Sequence, residues 1–409
     1  MNMIVGPMPF AAEDSRIRAL TLGRDVGPYF GGAERLAFEF VKRLDPERFK
    51  RYLCVTHARP PEHHAANDRE LAELERSGVE VLRLERESPA SNVAWVKLYR
   101  LLAGESIDIV HAHMPRAGIP GTIIGRMARV PVIVNHEHTW SFQGQPLRRF
   151  LDRNVIARGG DVLLAVSEWD RRHIIEVERI PPECVRILSN GISPMPEGGP
   201  DLRGELGGGP DVGLIGALGR LEPQKRHDDL IRSVALLKRE GTQVRCVIAG
   251  HGPDEEALRS LIDELGVGED VRLLGHRDDI SGVIRALDVA VLSSVFEGSP
   301  LAVMEYMACA APIVATAVGG VPELIEDEVH GLLVTPRDPE GLAGAIRRLL
   351  EDRALALRLG QAASERQRAE FDLDVVVRRL EALYLELYEK KRARRAAARP
   401  AGRPGGRVA

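Results

Sequence analysis

Short apolar runs, most of them rich in β-branched residues, alternate along this chain with amphipathic stretches of helical period. In the first half the runs fall at residues 52–56, 79–84, 107–111, 132–135, 162–166 and 185–188, with 17–22 a weaker candidate. In the second half they fall at 212–218, 244–249, 271–274, 289–292, 313–315 and 332–334. The runs at 212–218 and 288–294 read as buried strands of a parallel sheet, and the alternation of strand runs with helical stretches is the α/β signature. Helical patterns fill the gaps, among them 227–240, 301–308, 339–370 and a last one at 373–391. Between residues 194 and 210, ten of seventeen residues are Gly or Pro and no apolar period survives, which predicts a linker. The expected organisation is therefore an α/β domain at 1–193, a linker at 194–210, a second α/β domain at 211–371, a final helix at 372–391 and a basic tail at 392–409.

Composition agrees with two cores: 409 residues exceed what one core normally holds, and 44% apolar with 28% charged residues is ordinary globular usage. A net charge of −4 supplies no field for nucleic acid. No apolar run reaches the ~18–20 residues of a membrane span. Residues 1–10 lack the basic and long apolar regions of a secretory signal, so a cytoplasmic location is expected. Cys54, Cys184, Cys246 and Cys309 are scattered without a C-x-x-C pair and read as reduced thiols. The last twenty residues carry eight Lys or Arg and no acid. Such a tail is expected to be disordered. Its sharper reading is an electrostatic tether to anionic lipid at the inner membrane face, worth ~1 kcal/mol per basic residue.

The chemistry concentrates in two strand-to-helix turns. The run 288–294 leads into Phe296-Glu297-Gly298-Ser299-Pro300-Leu301, where Gly298 permits a tight turn and Pro300 suits a helix start. Free N–H groups at that start attract a diphosphate, while Glu297 and Glu305 flank it and accept hydrogen bonds from vicinal diols. Taken alone, two acids near a helix start mean little, since such acids commonly serve the helix dipole. The earlier strand 212–218 runs into Gly219-Arg220-Leu-Glu-Pro-Gln-Lys225. Cations placed there stabilise negative charge that develops on a departing diphosphate. Ligands bind beyond the carboxyl ends of parallel strands, so both turns are expected to share one cleft.

With Gly31-Gly32-Ala33-Glu34-Arg35, Asp108-Ile-Val-His111-Ala-His113, Val132-Ile-Val-Asn-His136, Val166-Ser167-Glu168, Ser189-Asn190-Gly191-Ile192 and Ala249-Gly250-His251-Gly252-Pro253, these turns form an ordered set over most of the chain. In that set the chain resembles the GT-B retaining glycosyltransferases of glycosyltransferase family 4. The resemblance implies two Rossmann-like α/β/α domains facing across a cleft, with the last helix crossing back to the first domain. It implies transfer of a hexose-type sugar from a UDP- or GDP-sugar to a hydroxyl of a glycan, lipid-linked or small-molecule acceptor, in synthesis of a glycan, glycolipid or cell-envelope polysaccharide. No metal or other cofactor is expected.

Carried over by position, Arg220 and Lys225 match the diphosphate cations, Glu297 the acid on the transferred sugar and Glu305 the acid on the ribose. The backbone of Gly298, Ser299, Pro300 and Leu301 approaches sugar and phosphate. His136 matches a histidine that reaches the donor sugar from the other domain, and the Gly31-Gly32 loop one that closes over the donor. Gly250 and Gly252 lie near the nucleotide, with His276 and Arg277 beside the base. His111-x-His113 and His136-x-His138 read as strand-end residues facing the cleft rather than as a metal site. The third Gly of a dinucleotide fingerprint is replaced by Glu255, which disfavours a nicotinamide enzyme. Two rivals stay open: an NDP-sugar 2-epimerase-like isomerase, which would need acid/base groups at the sugar C2, and a non-catalytic GT-B binding protein. Residues 57–69 and 140–149 are expected to form loops on the acceptor side.

Overall fold

The computed structural model describes residues 14–23, 32–57, 64–86, 93–138, 145–196, 202–207, 209 and 211–397. Two parallel sheets organise them. The first contains β1 (Ile17–Gly23), β2 (Phe49–His57), β3 (Glu80–Arg86), β4 (Ile109–His113), β5 (Val132–His136), β6 (Val162–Ala165) and β7 (Val185–Ile187), in the order β3-β2-β1-β4-β5-β6-β7. The second contains β8 (Gly213–Leu218), β9 (Val244–Ala249), β10 (Val271–Gly275), β11 (Val289–Leu292), β12 (Ile313–Thr316) and β13 (Leu332–Val334), in the order β10-β9-β8-β11-β12-β13. The weak candidate at 17–22 is central, paired with β2 on one side and β4 on the other. Arg18 and Thr21 interrupt its apolar run, yet residues 19–23 are buried.

The apolar strand runs are explained by two-sided burial. Val132 and Val134 of β5 join a core that includes Phe40 and the last helix, whereas Ile133 joins the opposite core with Leu98 and Leu102. The second sheet is sandwiched in the same way. The last helix, Leu373–Ala397, lays Val376, Val377, Leu380, Tyr384 and Leu387 on the first domain. It runs six residues past the end expected at 391. Ala, Arg and Lys are strong helix formers, and the extension is anchored where Lys391 pairs with Asp161 and Arg395 donates to the Arg129 carbonyl. Residues 398–409 of the expected tail lie outside the described residues.

The Gly/Pro-rich segment also differs from a free linker. Leu202 and Leu206 are buried in the core of the second domain. Arg203 donates to the carbonyls of Ala286, Gly209 and Val212 and to Asp288. Two leucines spaced one turn apart carried that signal among the glycines. The two covalent crossings between domains run side by side: Ile192 donates to the Phe371 carbonyl at 3.1 Å and accepts from the Leu373 N–H at 2.9 Å. In each sheet the strand order reverses between the first strand and the fourth, β1/β4 and β8/β11, which opens a crevice at their carboxyl ends.

Candidate active site

The second crevice holds the two turns singled out above. After β8, Pro223–Lys225 forms a single 3₁₀ turn, and Arg226 at φ 50° redirects the chain into the helix His227–Arg239. This turn is stitched to the one after β11. The Val295 N–H donates to the Gln224 carbonyl at 2.9 Å, the Gln224 amide donates to the Phe296 carbonyl at 2.7 Å, and the Ser293 hydroxyl donates to the Lys225 carbonyl at 2.9 Å. Lys225 Nζ thereby reaches Glu297 Oε1 at 2.7 Å, and Ser294 Oγ donates to the same oxygen at 2.6 Å. Both members of the ion pair are buried, 15% and 7% exposed. Arg220 is instead 61% exposed and paired with Glu222 at 2.7 Å, which leaves its guanidinium open to an anion.

Glycines bring the backbones together. A Cβ on Gly250, at φ 150°, would lie 1.9 Å from the Gly219 carbonyl oxygen, and one on Gly252 would lie 2.3 Å from that of Leu221. Both glycines support the Arg220 turn, through hydrogen bonds from Gly219 to Ala249 and from Leu221 to His251. Pro300, at φ −69° and ψ 121°, caps the helix Leu301–Ala308 rather than forming its first residue. Glu305 is buried inside that helix and accepts from Arg35 of the first domain at 3.3 Å. Burial raises its pKa and Arg35 opposes the rise. His276 is half-exposed beside Asp278. Arg277 is spent on Asp279 and on Glu205, 3.0 Å away, in the segment joining the domains. Gly31 lies outside the described residues; a Cβ on Gly32 would meet the Leu301 side chain at 2.7 Å.

The first domain meets this site through residues without a role assigned from the sequence. Glu323 accepts from the N–H groups of Glu168 and Trp169 at 2.7 and 2.8 Å, capping a helix of the opposite domain. The Asn190 amide donates to the Ser299 carbonyl at 2.8 Å, and Trp169 packs edge-on against Phe296. The available signal for Glu323 was Gly319-Gly320-Val321-Pro322-Glu323, a glycine pair before a proline-started helix.

The two histidine pairs form one buried cluster because β4 and β5 are neighbours in register, with His113 opposite His136. His136 stacks with His111 and His138 at ring separations of 5.3 and 4.2 Å. Ring nitrogens of His111, His113 and His136 lie within 4.8 Å of one another. Burial depresses all four pKa values, that of His138 to about 4 and the others well below the usual range. The imidazoles are therefore neutral donor–acceptor groups at neutral pH.

Known families match both domains. The model of "Glycosyltransferase Family 4" matches residues 30–195 and that of "Glycosyl transferases group 1" matches residues 202–366. This chain is a GT-B glycosyltransferase of family 4. It is 31% identical over 60% of its length to a D-inositol 3-phosphate glycosyltransferase of Mycobacterium marinum, spanning 56% of that protein, and 30% identical over 63% to one of Kineococcus radiotolerans, spanning 67%. A UDP-Gal:alpha-D-GlcNAc-diphosphoundecaprenol alpha-1,3-galactosyltransferase of Escherichia coli is 27% identical over 64% of the chain and 70% of its own. Among solved structures, Anabaena HepE in complex with UDP superposes with a TM-score of 0.77 at 23% identity, over 90% of this chain and all of HepE. The same fold recurs in a sucrose-phosphate synthase of Thermosynechococcus elongatus, TM-score 0.75. Among the described residues no helix is long and apolar enough to cross a membrane.

Proposed function

We propose that this family 4 enzyme transfers a hexose-type sugar from a nucleoside diphosphate sugar to an acceptor hydroxyl with retention of anomeric configuration. The observation that carries the reading is the buried Lys225–Glu297 pair at the β8/β11 crevice, with Arg220 exposed beside it and Glu305 one helix turn further on. Diphosphate charge builds as the glycosidic bond breaks, and fixed cations stabilise it more in the transition state than before. Arg220 and Lys225 fill that part, so the diphosphate needs no divalent cation. Glu297, held by Ser294 and Lys225, accepts hydrogen bonds from sugar hydroxyls, and Glu305 from the ribose. His136, neutral, donates to the sugar across the cleft without acting as a base. The leaving phosphate assists deprotonation of the acceptor.

UDP is the favoured nucleotide, because the HepE structures hold UDP and UDP-glucose and the E. coli relative is named for a UDP-Gal donor. The relatives' names support a polar small molecule or a lipid-linked glycan as acceptor. The deciding experiment is thermal unfolding with UDP, GDP, ADP and their sugar conjugates, followed by product analysis with and without acceptors. A ligand at ~100 times its dissociation constant adds ~2.7 kcal/mol. Stabilisation by one nucleotide, lost in Lys225→Ala, supports the donor site; no stabilisation by any nucleotide removes it. Sugar isomerised without acceptor would favour the epimerase reading.

A further inference from the structure

The histidine cluster has more unpartnered nitrogens than a sugar contact by His136 would use. Among the described residues, Nε2 of His111, Nε2 of His113 and both ring nitrogens of His136 are buried without a hydrogen-bond partner. Orphaned polar atoms at this density need a reason, since buried polar groups are almost always satisfied. Their other nitrogens show what the reason is. His111 Nδ1 lies 2.6 Å from the Tyr384 hydroxyl, and His113 Nδ1 lies 2.9 Å from His138 Nε2. With each Nδ1–H donating to these partners, each Nε2 keeps its lone pair free. A metal-ligating histidine is oriented in this way, its far N–H held by a second group.

We propose that His111, His113 and His136 form a binding site for a divalent transition ion of the zinc, cobalt or nickel type. The donor set is all imidazole, with no carboxylate and no thiolate, which suits these ions and not magnesium or calcium. Bonds of ~2.0–2.1 Å in a tetrahedron require nitrogens about 3.4 Å apart. The three are already within 4.8 Å, so small rotations of the rings close the gap. Three imidazoles leave a fourth position for an exchangeable ligand. His136 has two free nitrogens, so one lone pair binds the ion while the opposite N–H still faces outward as a donor. The site ties together the carboxyl ends of β4 and β5 and, through Tyr384, the helix that crosses from the second domain. The proposal does not depend on the transferase reading.

The test uses the full chain stripped with a chelator and titrated with Co2+, followed by visible absorption and by ion content after desalting. The expected result is one ion per chain, with the intense ligand-field bands of a four-coordinate nitrogen site, displaced by one equivalent of Zn2+. His111→Gln and His113→Gln should each weaken Co2+ binding by at least tenfold. Their circular dichroism and unfolding without metal report whether they remain folded. If both misfold, histidine NMR resonances of the unaltered protein, shifted by Zn2+ at these rings and nowhere else, decide the matter. Absence of the bands and of bound ion, or the same affinity in folded variants, overturns the assignment.

Discussion

Glu323 makes a measurable prediction about domain closure. Its two oxygens accept N–H groups at the start of the helix Glu168–Glu176, which belongs to the other domain. Hydrogen bonds to a charged group contribute about 1.5–3 kcal/mol each. Glu323 is half-buried, so the lower value applies, and the pair favours the closed arrangement by about 3 kcal/mol. Glu323→Ala removes both bonds yet leaves the helix intact, because Ser167 Oγ still accepts the Asp170 N–H. At 1.4 kcal/mol per tenfold, the open-to-closed ratio should rise about 100-fold. Ligands that need the closed state lose affinity by up to the same factor. The assay is energy transfer between dyes on the two domains, with and without UDP, beside UDP titration. An unchanged distance distribution together with unchanged UDP affinity would refute the latch.

Lys225→Ala should leave Glu297 buried with only Ser294 as partner, costing about 3–5 kcal/mol in denaturant unfolding. Lys225→Met with Glu297→Gln should cost much less than the two single changes added, and strict additivity would refute the coupling. Gly320→Ala puts a Cβ 2.0 Å from the Gly298 carbonyl oxygen and 2.8 Å from Ser167 Cβ. It should lower stability by about 1–3 kcal/mol and weaken donor binding, whereas Gly344→Ala, with open space around its Cβ, should stabilise by about 0.5–1 kcal/mol in the same melts. Glu305→Gln tests a raised pKa: burial penalises the charged form, so the penalty is present above the folded pKa and absent below 4.5, the unfolded value. The variant should therefore exceed the unaltered protein in stability at neutral pH, the difference should vanish in acid, and nucleotide affinity should fall.

The strands, the two sheets and the loops after β8 and β11 were legible because local patterns encode them: apolar runs for two-sided burial, and Gly, Pro and charge for turns. That the turns after β8 and β11 share one crevice followed from a topological rule about strand ends, whereas the ion pair of Lys225 and Glu297, residues 72 positions apart, is visible only in the structure. What local pattern missed depends on long-range pairing. β1 looked weak because Arg18 and Thr21 interrupt its apolar run, and only its neighbours show that it is central. The 194–210 segment looked unstructured because glycine dilutes the two leucines that dock it. The four histidines appeared as two unrelated strand ends because no sequence spacing states that β4 and β5 pair in register. Glu323 could not be placed at all, since its partners lie 154 and 155 residues away in the other domain.

These long-range contacts fall into two groups with different mechanical consequences. At one edge, Ile192 and the Phe371–Leu373 segment are joined backbone to backbone, and a Cβ on Gly191 would strike Phe371, Leu373 and Val376. Neither crossing can slide past the other without breaking both bonds, so relative motion is confined to rotation about this edge. Among the described residues, the polar contacts across the cleft are Glu323 to two N–H groups, Asn190 to the Ser299 carbonyl and Arg35 to Glu305, beside the aromatic contact of Trp169 with Phe296. Each hydrogen bond can be replaced by water when the cleft opens, so opening costs these bonds and one aromatic contact rather than a core. Two of the three, at Ser299 and Glu305, involve groups assigned to the donor. A bound donor therefore competes with or completes the contacts that hold the domains together. Under the proposed donor site, closure and donor occupancy are coupled through Arg35 and Asn190, and substitution of either side chain is expected to alter donor affinity, as UDP titration would measure.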